Sequence, residues 1–421
     1  MTEPAPIKLS LTMSTNANPN ANPFPLPTVL KAELSERMYD ELEQWAGNAD
    51  IYAAEETCGV EIACQLNRTA NSATPEEPRG EYALYLLLKE IPASPRMVLS
   101  LHKKARMQTR PKDRQYNPWN GLPGVYLDHQ EDNARVIVSI EGQLFTRYLY
   151  SPKNGKPYYY PLIGPDGKTL IQDAPDDHLH HHGLWWGHDD VNGHKLYHEF
   201  RGEGRQIHRK FITMFGGPVF GQLTTLIDWR SEDGELLLQE ARSVRIYNLP
   251  PESRYVDLTT ELYAVNGDVA FGDTKEGGFP FIRVNEQING HHTGIITAAN
   301  GKVGESEIFG SVAEWVDYSG QLFRSMKREG GTITKQYTAA GISVFSHPEN
   351  ETYASQWFVR DYGPFTPANF HFCGGKVLEN GQSLSMKHRL YLHQGDVLAG
   401  RVAERYREYA EPQHAEISFI E

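Results

Sequence analysis

Short segments rich in β-branched and aromatic residues, each closed by Gly, Pro, Asn or Asp, recur through most of this 421-residue chain. That punctuation restricts it to a mainly β fold. Arg135–Glu141, Gln143–Tyr150, Lys210–Phe215, Val219–Trp229, Glu235–Tyr247 and Tyr255–Val265 carry the pattern. Thr293–Ala298, Ala313–Tyr318, Gly341–Phe345, Tyr353–Arg360 and Ser383–His393 continue it. About a dozen such strands predict a large antiparallel β-sandwich with a few short helices. The 37 glycines and 26 prolines fit many turns. No repeat of fixed period is present, which disfavours a propeller or solenoid.

The pattern divides the chain in three. Residues 1–27, with the stretch NANPNANP, can bury almost nothing and read as a flexible leader. Residues 28–118 read as an accessory region. There Leu30, Leu34, Met38, Leu42 and Trp45 have the spacing of one helical stripe, Tyr82–Leu88 and Arg96–Leu101 read as strands, and the basic stretch 102–118 reads as a linker. Residues 119–421 form the sandwich, ending in a helix over Asp396–Glu411 that Asp396 can cap.

A net charge of −13 argues against a nucleic-acid surface, since phosphate binding depends on Lys and Arg. Cys58, Cys64 and Cys373 are too few and too scattered for a disulfide framework or a cysteine zinc site. No apolar run approaches the ~20 residues of a membrane span, and the first residues lack a secretory pattern. The expectation is a cytoplasmic protein that handles a small molecule, with oligomeric state left open.

Five of the 17 histidines fall within eleven residues, in Asp177-His178-Leu179-His180-His181-His182-Gly183-Leu184-Trp185-Trp186-Gly187-His188. If that run is extended, His178, His180 and His182 share one face and His181 takes the other. Imidazoles there suit proton transfer near neutral pH or metal ligation. Trp185 and Trp186 offer a flat ring to a sugar, although alternation expects one of the two to fill the core. HExxH is absent, and no carboxylate stands where a cupin-like HxH pair needs one, so acid/base or sugar-contacting histidines are preferred and no cofactor is favoured. The metal alternative is iron, copper or zinc on His178, His180, His181 and His188, with Asp189 or His198-Glu199 as possible completing ligands.

Other segments add candidates. Glu276, beside Gly277-Gly278, is a candidate carboxylate base, and Asn192 closes the histidine block. Asp317 and Tyr318 end a strand-like segment, His347 follows another, and Arg360-Asp361 could clamp a carboxylate or form a structural ion pair. No nucleophile elbow, phosphate loop or dinucleotide fingerprint occurs, so serine hydrolase, ATPase and dehydrogenase readings drop out.

Taken in order, DHLHHHGLWWGHDDVNG, KEGGFPFIR, SEIFGSVAEWVDYSG, GISVFSHPEN and WFVRDYG resemble the soluble PmoA-like family. This is a domain of unknown function often labelled methane oxygenase PmoA, and the likeness covers about Pro157–Gly395. The resemblance implies a supersandwich like that of galactose mutarotase, with activity on sugars. Carried over by role, it makes His181 an acid and Glu276 a base. Where the family carries Arg in HHRG, this chain has His182 before Gly183. A particulate methane monooxygenase subunit is an integral membrane protein, and the apolar helices that requires are absent here. The leading expectation is therefore an epimerase, lyase or hydrolase acting on a sugar or sugar acid, with a histidine-bound metal oxygenase and a non-catalytic sugar-binding module as alternatives.

Overall fold

The computed structural model describes residues 7–13, 27–47, 49–56, 59–71, 79–89, 96–104, 124–329, 332–412 and 414–420. Among these the fold is mainly β and antiparallel, and two large sheets face each other. One, of eleven strands, runs Trp357–Val359, Pro364–Pro367, Gly277–Arg283, Leu184–Val191, Tyr158–Tyr159, Gln143–Leu149, Arg135–Ile140, Val125–Gln130, with three short strands off this path. The other, of eight, runs Arg205–Phe215, Phe220–Arg230, Leu236–Tyr247, Ser253–Tyr263, Ser383–Gln394, Thr332–Ser346, Trp315–Glu329, Ile295–Ala298. Period-two alternation sends Val256, Leu258 and Leu262, and Leu390 and Leu392, into the core between them. Tyr255 and Tyr391 emerge on the far side of the same strands.

That far side carries a second body. Seven strands close a barrel in the order Lys8–Met13, His414–Phe419, Thr28–Glu33, Arg79–Leu88, Glu61–Asn71, Asp50–Glu55, Arg96–Lys104 and back to the first. Leu9, Leu11, Leu30, Leu84, Leu86, Leu99 and Leu101 fill it, and Leu42 of the helix Glu36–Ala46 joins them. Ser35 caps that helix by accepting from Met38 N at 3.3 Å. Tyr85 and Leu87 face out of the barrel and pack with Phe220, Tyr247 and Tyr255 of the eight-stranded sheet and with Tyr406 and Tyr409 of the helix Val402–Ala410. Gln65 fastens the joint, accepting from Val219 N and Phe220 N and donating to Phe220 O.

Several expected boundaries move. Lys8–Met13, assigned to the flexible leader, is a barrel strand because Leu9 and Leu11 alternate into its core. The helix expected from Pro27 begins at Glu36, since Leu30 and Ala32 enter the barrel from a strand. The accessory region is completed by His414–Phe419, from far along the chain. Asp396 caps a turn, accepting from Leu398 N and Ala399 N, and the last helix starts six residues later at Val402. Most of the expected linker 102–118 lies outside the described residues. Among the described residues, no helix is long and apolar enough to cross a membrane.

Candidate functional site

The histidine block does not run as a strand. Consecutive turns, His178 N to Pro175 O at 2.9 Å and His181 N to His178 O at 3.0 Å, fold it into a loop closed by Ala174 N to His181 O at 2.9 Å. Turning defeats the expected alternation and brings residues three apart together. His178 and His181 stack face to face, with centroids 4.6 Å apart and planes 15° apart. The column extends from Tyr362 on His178 through His181 to Trp185 and Phe281, with centroid spacings of 5.4, 4.6, 5.1 and 4.6 Å. Its foundation is a register shift between Trp185 and Gly187, where Phe279 and Pro280 oppose Trp186. Trp185 and Phe281 thereby face the histidines while Trp186 and Phe279 enter the sandwich core.

Arg283 gathers the polar end of this column. It is 5% exposed, with Nη2 2.8 Å from Asp177 Oδ2 and Nη1 3.3 Å from His178 Nδ1 and 3.5 Å from His181 Nδ1. Its buried Nε–H has no acceptor among the described residues. Asp177 Oδ2 also lies 2.9 Å from His178 Nδ1. Burial works to raise the Asp177 carboxyl, but Arg283 and His178 prevail and hold it below the usual range. Asp177, His178, Arg283 and Tyr362 line a cavity of about 740 Å³ together with Gln172, Glu286, Asn289, His291 and His292. His181 stands behind them, 3% exposed, and burial keeps its imidazole neutral far below the ordinary range. Because Arg283 can only donate, His181 Nδ1 is the acceptor, and Nε2–H faces Tyr197 Oη at 3.4 Å.

Two further groups flank the column. His180 packs edge-on to His181 and His198, at 4.5 and 4.7 Å, and burial, then His198, pushes it down to about 3. His182 lies between Asp173 (2.8 Å) and Glu199 (3.5 Å), and Glu199 also takes the buried Lys156 at 2.7 Å. Burial opposes charge on His182, but the two carboxylates raise it, so this side chain is occupied by protein acids and is no anion contact for a ligand.

The remaining expected residues fall as follows. Trp185 and Trp186 are both fully buried, so neither offers a free face to a sugar, and the expected stacking role is corrected for both. His188 is 1% exposed among Phe271, Phe279 and Phe370, with Nε2 at 2.9 Å from Gly272 O, and burial lowers it to about 4. It fixes a strand and does not line the Arg283 cavity. Glu276 sits beside Lys275 at 3.8 Å and does not line the Arg283 cavity, although its charge acts on Tyr197, His198 and Tyr362. His181 as an acid fails on its own burial. Asn192 ties a turn to Asp268 O and Ala270 N. Asp317 is buried in the other sheet against Ser343 and His393. His347 stands against Tyr409 at the barrel joint.

Tyr318, Arg360 and Asp361 support the site without entering it. Tyr318 Oη donates to Arg360 O and accepts from Arg360 N, and Glu305 takes Arg360 Nη1 and Asp361 N, so the turn that presents Tyr362 is held from both sides. The ion-pair reading of Arg360 thus prevails over a substrate clamp. The four histidines proposed for a metal do not converge on a cation: His188 is elsewhere, with Nε2 on Gly272 O, and the Nδ1 atoms of His178 and His181 both lie against the Arg283 guanidinium. Arg283 and Tyr362 were missed as functional residues, although both lie in quoted motifs, KEGGFPFIR and WFVRDYG.

A family model described as a family of unknown function, DUF6807, matches residues 135–407. The chain belongs to that family. The DUF6807 region contains the whole histidine loop, Arg283 and Tyr362, and leaves out the six barrel strands between Lys8 and Lys104. No protein with a curated description matches. Among solved structures, a protein in the glycosyl hydrolase family 38 from Enterococcus faecalis is similar at 10% identity and a TM-score of 0.32, over 98% of this chain and 47% of that one. An α-mannosidase from Enterococcus faecalis V583 is similar at 11% identity and 0.31, over 98% and 46%. The chain thus spans about half the length of these two proteins. A GalM/aldose epimerase homologue from C. elegans is similar at 6% identity and 0.25, over 65% of this chain and 99% of that one.

Proposed function

We propose that this DUF6807 protein is an acid/base enzyme acting on a sugar acid, of epimerase or lyase type. The observation that carries the reading is the convergence of Arg283 and the Asp177–His178 pair on one cavity of about 740 Å³. A guanidinium in the cavity wall suits a carboxylate, which it can meet with parallel hydrogen bonds. Asp177, held ionised and nearer at 2.9 Å than Arg283 at 3.3 Å, takes the His178 Nδ1–H, which orients the ring and leaves Nε2, bonded to no described residue, to exchange a proton with the ligand. Gln172, Asn289, His291 and His292 supply the hydrogen-bonding wall that a polyol needs. The likeness of the motifs to PmoA-like proteins, and through them to mutarotase sandwiches, supports a carbohydrate ligand.

The test is a thermal-shift panel of hexuronates, aldonates and matched neutral sugars, followed by product analysis of each stabilising ligand. Acids should raise Tm and neutral sugars should not, and Arg283→Met should remove the response. With a responding acid, His178→Ala should lower turnover by roughly 10²–10⁴-fold while binding persists. Equal responses to acids and neutral sugars would overturn the carboxylate assignment. Tight binding without product, unchanged by His178→Ala, would make the protein a binding module.

A further inference from the structure

We propose that Asp189, His198 and Glu203 form a binding site for a divalent transition-metal ion, distinct from the four-histidine set weighed on sequence and from the Arg283 cavity. Asp189 is on the strand Leu184–Val191, and His198 follows the strand His194–Leu196 that pairs with it. The chain then turns, Glu203 N bonding to Phe200 O at 3.1 Å and Phe200 N to Glu203 Oε2 at 2.9 Å, which folds Glu203 back toward the other two. One ligand atom from each of the three lies within 4.8 Å of the others. Side-chain rotation of roughly an ångström would bring them to the spacing that bonds of about 2.0–2.2 Å require.

Charge and chemistry agree. Asp189 and His198 are half-buried, and among the described residues no lysine or arginine pairs with Asp189 or Glu203. His198 Nδ1 lies 3.2 Å from Asp189 Oδ1 and the Glu203 carboxylate is close to both, so a cation among the three would meet two carboxylates. An imidazole with two carboxylates is a mixed nitrogen and oxygen set, suited to Zn²⁺, Mn²⁺ or Fe²⁺, whereas Ca²⁺ and Mg²⁺ prefer oxygen throughout. Phe200 stacks on His198 at 5.2 Å and 9°, fixing its plane, and Asp189 N bonds to Glu276 O at 2.8 Å. His180 lies beside this group without being part of it: its ring is 4.7 Å from that of His198, edge to face.

Chelator-treated, untagged full chain is titrated with Zn²⁺ and Mn²⁺ by calorimetry, with Ca²⁺ as the comparison. About one equivalent of Zn²⁺ or Mn²⁺ should bind, more tightly than Ca²⁺. His198→Ala and Glu203→Gln should each weaken binding by more than roughly tenfold, the scale seen when even an outer partner of a metal ligand is lost. Glu203→Gln keeps the shape of a turn residue, so it remains informative if His198→Ala misfolds. Arg283→Met should leave the metal titration unchanged, which separates this site from the sugar-acid reading. Absence of saturable binding, tighter Ca²⁺, or unchanged affinity in a folded variant would overturn the proposal.

Discussion

Two histidine–carboxylate clusters lie on opposite outer faces of the sandwich, and they differ in what surrounds them. On the eight-stranded sheet, Asp317 Oδ1 takes Ser343 Oγ at 2.7 Å and His393 Nε2 at 2.8 Å, and the His393 and Asp317 side chains are 0% exposed. On the eleven-stranded side, His178 and Asp177 are 35% and 51% exposed beside a cavity. The first cluster has the residue types of a serine hydrolase but the wrong connections: Ser343 and His393 share one carboxylate oxygen, so the histidine is not placed to take the serine proton. There is also no room for a ligand, since a Cβ at Gly341 would lie 2.5 Å from His393 Cε1. Burial makes one cluster a fastener between strands, and access makes the other able to exchange protons.

The largest effect that tests this contrast is on stability. Asp317→Ala removes one partner of a buried pair and should cost about 3–5 kcal/mol in denaturant unfolding. The Tm response of the remaining folded protein to a sugar acid should persist. A stable Asp317→Ala protein that had lost the ligand response would invert the assignment of the two clusters. Next, Arg283→Met should weaken sugar-acid binding by about 1.5–3 kcal/mol, roughly 10- to 150-fold in Kd, with a much smaller change in unfolding free energy.

A smaller effect comes from His388, buried on the eight-stranded sheet and pushed down by that burial, then by His347, to about 3. The unfolded chain protonates this residue near pH 6.5, and the native state does not until about pH 3, so stability falls as pH drops through that window. Between pH 7 and 5 the loss from this group is about 1–2 kcal/mol, and His388→Leu should flatten the pH dependence of Tm there. Smaller still, Asn192 has φ +54° in its turn, which Gly accepts without strain, so Asn192→Gly should cost only the exposed hydrogen bonds to Asp268 O and Ala270 N, about 1 kcal/mol, and leave ligand binding intact. Lost binding in that variant would return Asn192 to the site.

The sandwich was legible because turn residues and alternating strands are local signals, and the same parity anticipated that one of Trp185 and Trp186 would enter the core. The alternation of Leu9 and Leu11 was present too, but six residues among Asn and Pro gave no hint that strands from 96 and 414 would pair beside them. The histidine loop was misread as extended because the turns from Pro175 are set by contacts with Arg283 and Trp185 as much as by local preference. Arg283 itself was illegible as a site residue: it reaches Asp177 across 106 positions, through a strand register that no short motif encodes.

The barrel has a consequence for the order of events during synthesis. Its ring is joined between Lys8–Met13 and Thr28–Glu33 only by His414–Phe419, the latter pairing being parallel. While a ribosome is still making the sandwich, those two early strands each present an unsatisfied edge, and an open edge is a template for pairing with another chain. The emerging N-terminal portion must therefore wait, exposed, for about three hundred residues, so crowded translation of this message is the condition under which its aggregation should be greatest.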